Sequence, residues 1–110
     1  MDFEFVETEV FTGQILENLT DTQYAFLQAA LIKNPLSGDR IPGGKGIRKL
    51  RWSAAGKGKR GGIRVLYYLY LSERQIYMLY VFKKSKQADL DRRQLSILAN
   101  FVSRYLKRSQ

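Results

Sequence analysis

From Thr8 to Lys33 the apolar residues of this chain recur at helical spacing, whereas from Ile47 to Phe82 they alternate with other residues. That switch of period constrains the fold more than any other feature. A repeat of 3.6 residues cannot present one face of a strand, nor a repeat of 2 one face of a helix. Thr8 can cap a helix over 9–18 whose apolar positions are Val10, Phe11 and Ile15. Thr20-Asp21-Thr22-Gln23 has the form of a capping box and opens a helix over 21–33 with Tyr24, Leu27, Ala30 and Leu31 on one face. Asn34-Pro35 ends it, because proline lacks the N–H and disfavours helical geometry in the residue before it. Residues 35–46 read as a loop, and strands follow over 47–52, 63–71 and 76–82. The glycine-rich basic stretch 55–62 links the first two strands, and Ser72-Glu73-Arg74 reads as a tight hairpin connection. The alternation Asp2-Phe3-Glu4-Phe5 predicts one more strand, through Val6, at the start. A last helix is expected over 89–107, with Leu95, Leu98, Val102 and Tyr105 at 3-4-3 spacing. The order is strand, two helices, three strands and a helix. It predicts an α+β fold with a mainly antiparallel sheet, in one domain spanning 1–110.

Charge is as unevenly distributed as period. Nine of the 19 Lys and Arg residues lie between Arg40 and Arg64, a stretch without a carboxylate. The first 21 residues hold Asp2, Glu4, Glu7, Glu9, Glu17 and Asp21 and no Lys or Arg. A net charge of +9 segregated in this way makes a directed field that attracts a polyanion, and nucleic acid is the polyanion it predicts. The chain contains neither cysteine nor histidine. Disulfides, thiolate or imidazole metal sites and histidine-based acid–base chemistry are thereby excluded. No cofactor and no metal are expected. The acidic start Met1-Asp2-Phe3-Glu4 and the lack of a long apolar run predict a cytoplasmic protein that does not enter a membrane.

Alternation decides which cations act together. In Lys49-Leu50-Arg51-Trp52, burying Leu50 and Trp52 sends Lys49 and Arg51 out of the opposite face. Arg64 opens the next strand, and Lys83-Lys84 close the last one. If these strands are neighbours, their cations converge on one patch. Gly56-Lys57-Gly58-Lys59-Arg60-Gly61-Gly62 lacks the Gly-Lys-Ser/Thr ending of a nucleotide P-loop and reads instead as a basic loop suited to gripping phosphates. Trp52 reads as core. Tyr67, Tyr68, Tyr70, Tyr77 and Tyr80 are mostly packing residues, as aromatics in strands usually are.

Several of these segments together resemble a known family. Asn34-Pro35-x-x-Gly38-Asp39, Gly46-Ile47-Arg48-Lys49-Leu50-Arg51, Gly58-Lys59-Arg60-Gly61-Gly62-x-Arg64-Val65-Leu66-Tyr67-Tyr68 and Phe82-Lys83-Lys84 are similar to segments of the RelE/HigB superfamily of bacterial type II toxins. The third segment is the most specific and points to the HigB-like branch. The resemblance implies the small α+β RelE-like fold and an endoribonuclease that cuts messenger RNA in the ribosomal A site. It also implies a cognate antitoxin, in that branch usually a helix-turn-helix DNA-binding protein. Carried over by position, the catalytic residues are Lys49, Arg51, Arg64 and Lys84, with Arg48, Lys57, Lys59, Arg60, Lys83 and Lys86 as RNA-binding residues. Some relatives carry a catalytic tyrosine shortly after the last strand, where this chain has Leu90. Two alternatives are a ParE-like toxin directed at DNA gyrase and a nucleic-acid-binding module without catalysis.

Overall fold

A computed structural model describes residues 2–53 and 62–106. Its elements are β1 (Glu4–Glu7), α1 (Glu9–Asn18), α2 (Asp21–Lys33), β2 (Asp39–Arg40), β3 (Arg48–Trp52), β4 (Ile63–Tyr70), β5 (Gln75–Lys83) and α3 (Arg92–Phe101). The five strands form one sheet in the order β1-β5-β4-β3-β2. β1 runs parallel to β5 and every other pairing is antiparallel, so the α+β, mainly antiparallel expectation holds. No helix among the described residues is long and apolar enough to cross a membrane.

Both N-terminal helices begin where their capping residues place them. The Thr8 hydroxyl accepts from the Phe11 N–H, and Thr20 and Gln23 complete a reciprocal capping box. Phe11, Ile15 and Leu19 of α1 and its end, with Leu27 and Leu31 of α2, pack on Ile63, Val65, Tyr67, Ile76, Met78 and Val81 of the sheet. Leu50 and Trp52 pack against the same core, which is the side that alternation assigns them. Glu7 ties β1 to both helices, its carboxylate accepting from the Thr12 and Tyr24 hydroxyls at 2.7 Å each. Burial and then this hydrogen bond push the Tyr24 hydroxyl far above its ordinary pKa, so it serves as a fixed donor.

The opposite face carries a second core of Leu66, Tyr68, Tyr70 and Leu79, covered by Val102 and Leu106 with Leu98 and Phe101 beside them. A bulge between Leu66 and Tyr67 shifts the β4–β5 register. It lets the consecutive residues Leu79 and Tyr80 both join this second core.

Two expectations are corrected. The segment 35–46 contains a two-residue edge strand, β2, paired to β3 through Asp39↔Lys49 and Arg40↔Arg48, where sequence suggested only loop. Two residues are too short to show a period. The last helix begins at Arg92, not near 89, because the Asp91 side chain and Gln94 form its capping box. Residues Val102–Leu106 form a π-helical turn. The wider turn moves the buried position to Leu106 and leaves Tyr105 61% exposed, so the even 3-4-3 face does not extend to the end.

Candidate active site

Antiparallel register brings the candidate cations together. Arg51 of β3 lies directly opposite Arg64 of β4, and Arg64 lies opposite Phe82 of β5. Two pairs along, Lys49 faces Leu66, which faces Tyr80. Residues opposite one another share a sheet face. Along β4 that face reads Tyr70, Tyr68, Leu66, Arg64, so its apolar part lies under α3 and the following turn while the cationic part continues beyond the second core. Arg64 and Lys49 are half-buried and Arg51 is exposed.

The two lysines at the end of β5 separate by the same rule. Lys83 pairs with Ile63 and so belongs to the side of the helices α1 and α2. The Lys84 N–H donates to the Gly62 carbonyl at 3.2 Å, carrying the ladder one pair further and placing Lys84 on the face of Arg64. Lys86 is exposed in the turn that follows. Arg48 is not brought to the cationic face: its guanidinium donates to the carbonyls of Gly38 at 2.7 Å and Leu36 at 3.4 Å. Lys57, Lys59 and Arg60 lie outside the described residues.

Sequence reasoning missed an anion within this patch. Asp89, in the segment between β5 and α3, accepts from Lys49 Nζ at 3.1 Å through Oδ1, and from the Leu90 N–H at 2.8 Å through the same oxygen. Partial burial would raise its pKa, but these two hydrogen bonds and the charges of Lys49 and Arg64 outweigh that and hold the carboxyl below its ordinary value. Gln87 steadies the segment, its amide donating to the Asp89 carbonyl at 2.8 Å and to Gln94 of the α3 capping box at 2.6 Å. Leu90 is half-buried against the second core, so the position where some relatives carry a tyrosine packs inward here. No period or motif in the sequence singles out Asp89, because an acidic residue just before a helix ordinarily reads as part of its cap.

Beside Lys49 and Arg51 opens a cleft of about 440 Å³, walled on its far side by Ser37, Asp39 and Pro42 and bordered by Asp89. That wall is held from below. Tyr67 is fully buried, its hydroxyl donating to the Pro35 carbonyl at 2.7 Å and accepting from the Gly38 N–H at 2.9 Å. Any Cβ at position 38 would lie 2.8 Å from the Tyr67 ring, so the close approach needs glycine. Arg48 grips the same turn through its carbonyls. The sheet face thus offers a cluster of guanidinium and ammonium groups, one internal carboxylate and a preorganised cleft alongside.

A family model described as the RelE toxin of the RelE/RelB toxin–antitoxin system matches residues 17–110. Among solved structures, the chain is similar to the E. coli toxin RelE in the free state, a double arginine-to-alanine mutant. The two share 15% identity and a TM-score of 0.59 over 96% of this chain and 100% of that one, a likeness of fold. The family match does not single out the HigB-like branch. With the α+β fold in place and most of its length matched, the chain belongs to the RelE toxin family of toxin–antitoxin systems.

Proposed function

We propose that this toxin is a ribosome-dependent endoribonuclease that cleaves messenger RNA in the A site and so arrests translation. The observation that carries this reading is the cross-strand row Arg51↔Arg64 with Lys49 and Lys84 on the same face. Like charges held opposite one another disfavour folding. A phosphate meeting them reverses that penalty. In the reaction the RNA 2′-oxygen attacks the adjacent phosphorus, the bond to the 5′-oxygen breaks, the 2′-proton passes to a base and the departing oxygen receives a proton. Arg51 and Arg64 hold the non-bridging oxygens, since a planar guanidinium matches phosphate bidentately and stabilises the pentacoordinate charge. Lys49 and Lys84 flank that position and are the candidates for proton transfer. Asp89 keeps Lys49 in place until the phosphate arrives. The cations supply the charge stabilisation, so the scheme uses no metal or cofactor.

Antitoxin control follows from the family. Leu16 of α1 and Phe26 and Ile32 of α2 are exposed apolar residues of the helices that cover the first core. They offer a surface that RNA does not need, and a helix-turn-helix antitoxin bound there would block entry to the ribosome by bulk. Adding the toxin alone to a translation extract and mapping new 5′ ends tests the activity. Breaks confined to translated codons, and abolished when ribosomes are omitted, are expected. Growth arrest with intact messages would point to a gyrase-directed toxin instead, and RNA binding without breaks to a non-catalytic module.

A further inference from the structure

Lys49 is tied to the cationic face by a carboxylate that stands largely in solvent. The Asp89 side chain is 60% exposed and that of Lys49 28%. Exposed ion pairs hold weakly on their own, because both side chains lose freedom while water and salt screen the attraction. What fixes Asp89 is the turn that carries it. The Gln87 side-chain amide donates to the Asp89 carbonyl at 2.8 Å and to Gln94 Oε1 at 2.6 Å, which uses both of its hydrogens. Gln87 is anchored in turn at the end of β5, its backbone N–H donating to the Lys83 carbonyl at 3.0 Å. Gln94, in the first turn of α3, donates from Nε2 to the Tyr80 hydroxyl at 3.3 Å. Tyr80 belongs to the cross-strand row that begins at Lys49. Capping α3 asks nothing of Gln87. Asp91 and Gln94 close their box by themselves, through the Gln94 N–H at 2.7 Å and the Asp91 N–H at 3.0 Å.

We propose that Gln87 is a positioning residue for RNA cleavage: it clamps the Asp89 turn to α3, so that the Asp89 carboxylate holds the Lys49 ammonium beside the phosphate position. The inference rests on the ribonuclease reading above. A lysine ammonium ends a flexible four-carbon stem and, unheld, sweeps a wide volume of solvent. Rate depends steeply on where such a group stands, since a misplacement of about 1 Å can cost about a hundredfold. An ammonium already in place when RNA arrives needs no search and little reorganisation. Gln87 touches neither the phosphate nor Lys49 in this scheme, and it acts on Lys49 through Asp89. A neutral amide suits the task. Lysine or arginine at this position would also donate to the two oxygens, but would compete with Lys49 for the carboxylate.

Gln87→Met tests this, since methionine keeps the length and neutrality of glutamine and removes both donors. Message cleavage is followed in a single turnover on programmed ribosomes with toxin in excess. The maximal rate should fall by about 5- to 20-fold, while the toxin concentration giving half-maximal rate stays within about twofold. A variant that merely folds less well behaves in the opposite way, because excess toxin supplies the folded molecules and only half-saturation shifts. That pattern, or an unchanged rate, overturns the proposal. In an Asp89→Ala background Gln87→Met should cost nothing more. A second loss of similar size would show that Gln87 acts elsewhere and overturns it too. Another measurement needs no ribosome. The Asp89 carboxyl, followed by carbon-13 NMR in the isolated wild type, should titrate below its ordinary value: burial works to raise it, but the bonds from Lys49 and the Leu90 N–H hold it down. In Gln87→Met it should rise toward the ordinary value of about 4. An identical titration in the two proteins overturns the clamp. If the wild type cleaves no message while the two titrations still differ, the ribonuclease reading fails and the clamp on Lys49 stands.

Discussion

Arg51 gives the sharpest test of the cationic face, because stability and activity should respond in opposite directions. It is exposed, sits directly opposite Arg64, and its guanidinium makes no hydrogen bond or ion pair with the described residues. Cross-strand partners have Cβ atoms about 4.5–5.5 Å apart. Two unit charges at about 6 Å repel by about 0.7 kcal/mol in water and about 2.8 kcal/mol at an effective dielectric of 20. Exposure of Arg51 puts the true value near the lower figure, about 0.5–1 kcal/mol. Arg51→Gln keeps most of the stem and removes the charge. It should therefore raise stability by about that amount, or roughly 2–6 °C in melting temperature for a domain of this size. The gain should vanish near 1 M salt, where the screening length falls to about 3 Å. Cleavage in a translation extract should meanwhile fall by about a hundredfold, the effect of losing about 3 kcal/mol of preorganised transition-state stabilisation. Urea melts at 0.05 and 1 M salt, run beside the cleavage assay, decide it. A variant destabilised at low salt would make Arg51 a structural residue. One that cleaves within a few-fold of wild type would remove it from the phosphate site.

Three further outcomes are expected. Tyr67→Phe removes the hydroxyl that joins the Pro35 carbonyl to the buried Gly38 N–H, and should lower stability in urea by about 2–4 kcal/mol through one lost bond and one unsatisfied donor; a loss under about 0.5 kcal/mol would show that the turn holds without it. Asp89 has a depressed pKa in the folded protein, so its contribution to stability is present above the unfolded carboxylate value near 4 and is lost as pH falls through the folded one. Asp89→Asn should accordingly melt below wild type at pH 7 and converge with it in acid, and a gap constant from pH 7 to 2.5 would contradict the ion pair. Lys84→Ala should cost at least tenfold in cleavage and Lys83→Ala only a few-fold, since register puts them on opposite sides of the sheet; equal losses would mean that alternation is not what selects the active face.

What could be read in advance divides along physical lines. Elements with their own local determinants were legible: Thr8, the Thr20–Gln23 box and Asn34-Pro35 fix the ends of α1 and α2 through bonds within four residues of the chain. Face assignment in β3 was legible too, because burying Leu50 and Trp52 leaves Lys49 and Arg51 no alternative. Whatever depended on distant partners was not. β2 exists only because β3 offers it an edge, and nothing local distinguishes Asp39 from a loop aspartate. Arg48 shares the basic run with Lys49 and Arg51, and composition groups the three. Alternation puts Arg48 on the other side from them, but only the structure shows that its guanidinium is spent there on the carbonyls of Gly38 and Leu36. The same register shows why the basic run carries two functions at once. Arg48 shapes the turn that walls the cleft, and Lys49 and Arg51 border the cleft from within the cationic face. An Arg48→Ala change should therefore act on cleavage through the shape of that wall, since its guanidinium is engaged off the cationic face.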